Sequence, residues 1–131
     1  MESSNHTPLH HFVGACHCGR VKFAFQAVVR EGVSCNCTYC RRKAALHMRV
    51  PVDRFTLIQG DDVLSRYRFG TGRATHFFCG YCGVHTHCHP RSSPEQINVN
   101  LHCVDELAPV LKTLAIRHFD GLHWELDGQH G

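Results

Sequence analysis

At 131 residues the chain has the size of one domain, and 43% hydrophobic against 19% charged residues let it bury a core while leaving it small enough to profit from metal staples. A formal charge of +3 falls far short of the basic stripe of a dedicated nucleic-acid binder, although thirteen histidines would raise it below about pH 6.5. No run approaches the roughly 18 apolar residues of a membrane span, and the opening "MESSNHTPLHH" lacks a basic start followed by an apolar stretch, so neither a span nor a secretory signal is expected and the expected compartment is the cytoplasm.

Residues 1–8 are polar, contain Pro8 and read as a flexible arm ahead of a single domain over 9–131. Val21, Phe23 and Phe25 then alternate with Lys22, Ala24 and Gln26, the period of a strand with one buried face. "TYCRRKA" predicts about one helical turn, and "LHMRVP" and "FTLIQG" read as short strands ended by Pro51 and Gly60. "VLSRYRF" runs into the turn "GTGR", "ATHFFC" leads to a CxxC, and "VHTHCH" alternates until Pro90. The clearest alternation is "QINVNLHC", with Ile97, Val99, Leu101 and Cys103 on one face and Asn98, Asn100 and His102 on the other. In "VDELAPVLKTLA" Pro109 limits any helix to a turn or two. Many short strands with little helix predict a mainly β fold, an open sandwich of short antiparallel strands.

Seven of the nine cysteines sit in CxC or CxxC spacing: Cys16 and Cys18, then Cys35, Cys37 and Cys40, then Cys79 and Cys82. In a reducing compartment such thiols read as metal ligands rather than disulfides. Residues i and i+2 of a regular strand lie about 6–7 Å apart, further than two thiolates on one tetrahedral zinc, so each CxC must bend. Gly14, Gly19, Gly80 and Gly83, clustered beside the cysteines, permit such turns.

Seven thiolates divide into one closed four-thiolate site, which staples a fold, and one three-thiolate site with an open position, which does chemistry. Spacing does not say which pairs combine. The economical division leaves the triple cluster intact, with Cys16, Cys18, Cys79 and Cys82 closed and Cys35, Cys37 and Cys40 open. The plainer alternative makes both sites structural, a histidine or Cys88 filling the fourth place of the second.

Zinc with three thiolates carries a net charge of about −1, which makes it a weak Lewis acid but a suitable holder of a substrate thiolate. Arg41, Arg42 and Lys43 follow the third cysteine and would bind carboxylates of such a thiol compound, unless they are a solvated turn.

The frames "GACHCGRVKF", "CNCTYCRRKAALH", "HFFCGYCGVHTH", "INVNLHCVD" and "HFDGLHWEL", in this order from about residue 12 to residue 126, resemble the glutathione-dependent formaldehyde-activating enzyme family, which includes centromere-protein-V-like proteins. The resemblance implies a β-tent fold with two zinc ions, Cys16, Cys18, Cys79 and Cys82 on the structural one and Cys35, Cys37 and Cys40 on the catalytic one. It further implies condensation of glutathione with formaldehyde to S-hydroxymethylglutathione, formally a carbon–sulfur lyase reaction run in the synthetic direction. Ala44 stands where many members carry glycine.

Among the remaining residues, His85, His87 and His89 alternate and could share one strand face. His17 and His76 lie beside knuckles, Cys88 and Cys103 read as small buried residues, and Phe77, Phe78 and Trp124 read as core. No acid or base stands out. The leading expectation is a zinc enzyme acting on a small thiol such as glutathione, with no membrane or nucleic-acid partner. The alternative is a non-catalytic zinc-binding interaction module. A cavity leading to the triple cluster would favour the first, and a contiguous basic face the second.

Overall fold

The structure, a computed structural model, describes residues 9–69, 74–90 and 95–122; the expected arm 1–8, the "GTGR" turn and Trp124 lie outside them. The alternation at Phe23 and Phe25 builds strand β2 (Lys22–Ala27), which pairs antiparallel with β1 (His10–Ala15) and β5 (Phe55–Gln59) in a three-stranded sheet. The other strands are β3 (Glu31–Cys35), β4 (His47–Pro51), β6 (Leu64–Tyr67), β7 (Thr75–Cys79), β8 (His85–His89), β9 (Gln96–Asn100) and β10 (Ala115–Phe119). They form a second sheet in the order β10-β3-β4-β9-β8-β7-β6. The expected mainly β fold is therefore observed, with α1 (Thr38–Lys43) the one α-helix of regular length among the described elements.

The core lies between the sheets. Phe12, Phe23 and Phe25 of the small sheet meet Val50 of β4 and Ile97 and Val99 of β9 in one buried cluster, completed by Leu101, Val104 and Leu107. Phe23 is fully buried and stacks on Phe25 and Phe55 at 6.1 and 5.7 Å between centroids. A smaller cluster of Cys16, Val21, Leu64, Phe77 and Cys79 sits at one end, beneath the four-cysteine knuckles.

Three strands were not evident in the sequence. In β1 and β3 glycine takes one inward place each, Gly14 against the Phe23 ring and Gly32 against Leu46, so the apolar alternation is broken. β10 is exposed along its whole length and carries no one-sided pattern; it is held by parallel pairing with β3, from Ala115 opposite Glu31 to Phe119 opposite Cys35. This parallel pair departs from the all-antiparallel expectation.

The strand "QINVNLHC" ends at Asn100, where the side-chain carbonyl accepts the His102 N–H at 3.2 Å and turns the chain into a 3-10 turn over Leu101–Cys103. Leu101 and Cys103 remain buried, so their apolar character was read correctly but not their geometry. Pro109 holds the next segment to a short 3-10 turn, Asp105–Leu107, and further turns. No helix among the described residues is long and apolar enough to cross a membrane.

Helix α1 starts at Cys37, whose Sγ accepts the Cys40 N–H, and ends at Ala44, whose N–H bonds the Cys40 carbonyl at 2.9 Å. Ala44 sits at φ 55°, ψ 38°, the left-handed conformation in which a helix commonly ends on glycine. A β-carbon is strained there. Ala44→Gly is therefore expected to raise stability by about 1 kcal/mol, read as a higher urea midpoint at fixed zinc with an unchanged slope.

Candidate metal centre

Two tight turns of the same design bring the first four thiols together. Gly19 N–H bonds the Cys16 carbonyl at 3.2 Å and Gly83 N–H bonds the Cys79 carbonyl at 2.8 Å, with Gly19 at φ 82° and Gly83 at φ 79°. These left-handed turns are the bends that CxC and CxxC spacing demands. The Cys16–Cys18 and Cys18–Cys79 sulfurs stand 3.7 and 3.6 Å apart, and all four Sγ atoms lie within 4.8 Å of one another. Tetrahedral zinc with Zn–S bonds of 2.3 Å separates its sulfurs by about 3.8 Å, so this donor set fits it.

Backbone N–H groups point at two of these sulfurs. Val21 donates to Cys16 Sγ at 3.3 Å, and Tyr81 and Cys82 donate to Cys79 Sγ at 3.4 and 3.5 Å. The Arg20 backbone and then its guanidinium pull the exposed Cys18 thiol down to about 6, whereas burial pushes Cys16 up to about 11.

The triple cluster is assembled at a strand-to-helix junction. Cys35 ends β3, Cys37 caps α1 and Cys40 lies one turn inside it, and their sulfurs again fall within 4.8 Å of one another. Asn36, between the first two, locks the junction to the segment after β10. Its N–H donates to the Phe119 carbonyl at 3.2 Å, its amide nitrogen donates to Asp120 Oδ1 at 3.2 Å, and its side-chain carbonyl accepts the Leu122 N–H at 2.9 Å. That places Gly121 so close that a β-carbon on it would stand 2.5 Å from Cys35 Sγ and 3.2 Å from Cys37 Cβ. The glycine of "FDG" leaves the room the thiols occupy.

Within the cluster one thiol is ionised at the expense of the other two. Hydrogen bonds from Cys35, from Cys40 and from the backbone hold Cys37 far below the usual thiol range. Cys40 is driven up by its bonds to Cys35 and Cys37 and by burial, and Cys35 is raised by its bond to Cys37.

A cavity of about 480 Å³ opens on these three thiols. Arg49 of β4 and Arg117 of β10 line it, with His47, His76, Phe69 and Phe119. Arg49 Nε donates to Asn98 Oδ1 at 3.3 Å and Arg117 Nε to Glu31 Oε2 at 3.0 Å, which holds both guanidiniums in place at exposed positions.

The basic run after Cys40 lies elsewhere. Arg41 and Arg42 are exposed outside the cavity lining, and Arg42 Nη1 donates to the Thr38 carbonyl at 2.7 Å. Lys43 turns inward, its Nζ 3.0 Å from His76 Nδ1 and 4.0 Å from the centre of the Tyr39 ring, and burial pushes its ammonium pKa down. It lines a second cavity with Tyr39, His85 and Asn100.

The strand histidines also separate. His87 stacks on Phe77 at 4.5 Å, whereas His85 faces His76 and His47 at 5.7 and 6.0 Å. A shared face for His85 and His87 would follow from unbroken alternation, but the β7–β8 register shifts between Phe77 and Phe78.

The model of the family described as glutathione-dependent formaldehyde-activating enzyme matches residues 11–118 of this chain. The chain belongs to that family. Among solved structures, a crystal structure of a Rhodobacter sphaeroides protein is similar, with a TM-score of 0.75 and 30% identity over 82% of this chain and 99% of that one. The matched span contains all seven clustered cysteines, so a glutathione-dependent, formaldehyde-activating function at the level of the family falls on the part of the chain that carries both thiol sets.

Asn36, Gly121, Arg49 and Arg117 were not singled out from sequence. For Asn36 and Gly121 a signal existed, since both lie inside the quoted frames; the arginines come from β4 and β10 and only the sheet order brings them to the cavity.

Because Cys35 and Cys40 are held protonated while Cys37 is ionised, zinc entering the triple cluster of protein already loaded at the four-thiol site should release about two protons per ion near pH 7. Protons compete for those thiols, so affinity should fall as pH drops, by about two logarithmic units per pH unit. Indicator-monitored zinc titration reads both; release of no protons would contradict the assignment.

Proposed function

We propose that the chain is a zinc-dependent carbon–sulfur lyase that acts in the synthetic direction, joining glutathione to formaldehyde as S-hydroxymethylglutathione or forming a closely related thiol–aldehyde adduct. The observation that carries this reading is the cavity in which three thiols and two guanidiniums meet. In this reading Cys16, Cys18, Cys79 and Cys82 hold a structural zinc, and Cys35, Cys37 and Cys40 hold a second with a position open to the cavity. Zinc so held lowers the pKa of a thiol compound enough to keep it as a nucleophilic thiolate in neutral water.

The chain's own residues do the rest. Arg49 and Arg117 take the carboxylates of the tripeptide, a role that Arg41 and Arg42, outside the cavity, are not placed to fill. Phe69 and Phe119 supply apolar wall that limits water around the reacting carbon. When sulfur bonds to the aldehyde carbon, the C=O π pair moves to oxygen and needs one proton; no oxidant or reductant is required. Water at the cavity mouth can supply that proton.

A non-catalytic interaction module has no use for such a cavity. The nine cysteines stand as unpaired thiols, which suits a reducing compartment such as the cytoplasm.

Glutathione affinity and the rate of S-hydroxymethylglutathione formation, compared between wild type and variants, test the proposal. Cys40→Ser should lower the rate at least ~100-fold. Arg49→Ala should raise KM for glutathione about five-fold with kcat little changed, and Arg41→Ala should change neither. Equal rates in wild type and Cys40→Ser, or no glutathione binding at millimolar concentration, would refute it.

A further inference from the structure

Besides the two cysteine sets, one further group of buried side chains among the described residues has ligand chemistry. His76 of β7 and His85 and Cys88 of β8 are all buried and present donor atoms within 4.8 Å of one another. His76 and Cys88 are direct cross-strand partners. His85 reaches them through the bulge. Phe77 pairs with His87 while Phe78 pairs with His85, so Thr86 is an extra residue in β8 and alternation is reversed across it. The effect is to send His87 to the apolar side, against Phe77 and Phe55, and His85 to the side of Cys88. Bulges re-aim side chains at functional sites.

His85 is only 7% exposed, and neither of its ring nitrogens has a hydrogen-bond partner. Burial without a partner penalises an imidazole, so a ligand at its nitrogen would remove that penalty. Burial keeps the ring neutral, the form whose lone pair binds metal.

We propose that His76, His85 and Cys88 form a third metal site, for a borderline divalent ion such as zinc. With Zn–N bonds of about 2.0–2.1 Å and a Zn–S bond of about 2.3 Å, the tetrahedral donors of this set stand about 3.3–3.6 Å apart, so shifts of about an ångström close the present spacing. Two neutral imidazoles and one thiolate leave such an ion a net charge of about +1, against about −1 and −2 at the cysteine sites, which makes it the strongest Lewis acid of the three. His76 and Cys88 line the cavity of the triple cluster and His85 lines the second cavity, so the ion is reachable from either side. Lys43 Nζ stands 3.0 Å from His76 Nδ1, so the ion would be taken at Nε2, with Nδ1 carrying the hydrogen that Lys43 accepts as a neutral amine. The Tyr39 ring, 4.3 Å from His76, packs over the group.

The test is metal content of the full chain after zinc loading and exhaustive dialysis, for wild type, His85→Ala and Cys88→Ser. Wild type should hold about three ions per chain and each variant about two, with the cobalt–thiolate absorption of the cysteine sites intact in cobalt-loaded His85→Ala. Wild type saturating at two ions overturns the proposal whether or not the variants fold. A third ion retained by His85→Ala also overturns it, assigning that ion to surface histidines. Neither result bears on the thiol chemistry, which is read by product formation.

Discussion

The contact between Cys18 and Cys79 is where the two sheets are joined. Cys16 and Cys18 follow β1 of the small sheet, Cys79 ends β7 of the large one, and their sulfurs meet across 61 residues of sequence at 3.6 Å. Four thiols so close repel one another when ionised and waste burial when protonated; a dication resolves both problems and closes a long loop at once. The cluster of Cys16, Val21, Leu64, Phe77 and Cys79 beneath the knuckles is small, so at this end a metal held by the four thiols would do the work that apolar burial does between Phe23, Val50 and Val99. A domain of this length needs such a staple more than a larger one would.

The same economy holds the reactive end. The triple cluster is too short in sequence to define its own geometry, and Asn36 supplies what is lacking by tying it to residues 119–122. Through that tie the parallel pairing of β10 with β3 shapes the cavity. It fixes Gly121 against Cys35 and brings Arg117 over the same cavity that Arg49 enters from β4. Thiols at the floor and guanidiniums at the mouth give the cavity the polarity that the proposed anionic thiol, entering sulfur first, would need.

How much of this the sequence made legible depends on what each signal required. Cysteine grouping is local and needs only counting, and the division into four and three is the grouping the thiol geometry supports. β2 and β9 were readable because large apolar residues recur at every second position, Phe23 and Phe25 in one and Ile97 and Val99 in the other. β10 was unreadable because all five of its residues are exposed, and β1 and β3 because Gly14 and Gly32 stand where an inward side chain would have completed the pattern. The run Arg41-Arg42-Lys43 drew attention by adjacency, but a helix turns successive residues 100° apart, so these three cannot share a direction. Lys43 faces inward while its neighbours face water. The single extra residue at Thr86 reversed the strand histidines, and no local pattern announces a bulge of that kind. Ala44 is the opposite case, since its departure from glycine was visible in sequence and its positive φ explains why glycine is the better fit.

The proposed chemistry requires that a zinc held by Cys35, Cys37 and Cys40 keep one coordination position for the sulfur of the substrate. Zinc X-ray absorption on His85→Ala loaded to two ions per chain, with and without saturating glutathione, measures this directly. Filling the position adds a sulfur neighbour at about 2.3 Å to one of the two ions and removes a nitrogen or oxygen neighbour near 2.0 Å. An unchanged coordination shell at saturating glutathione would contradict the account.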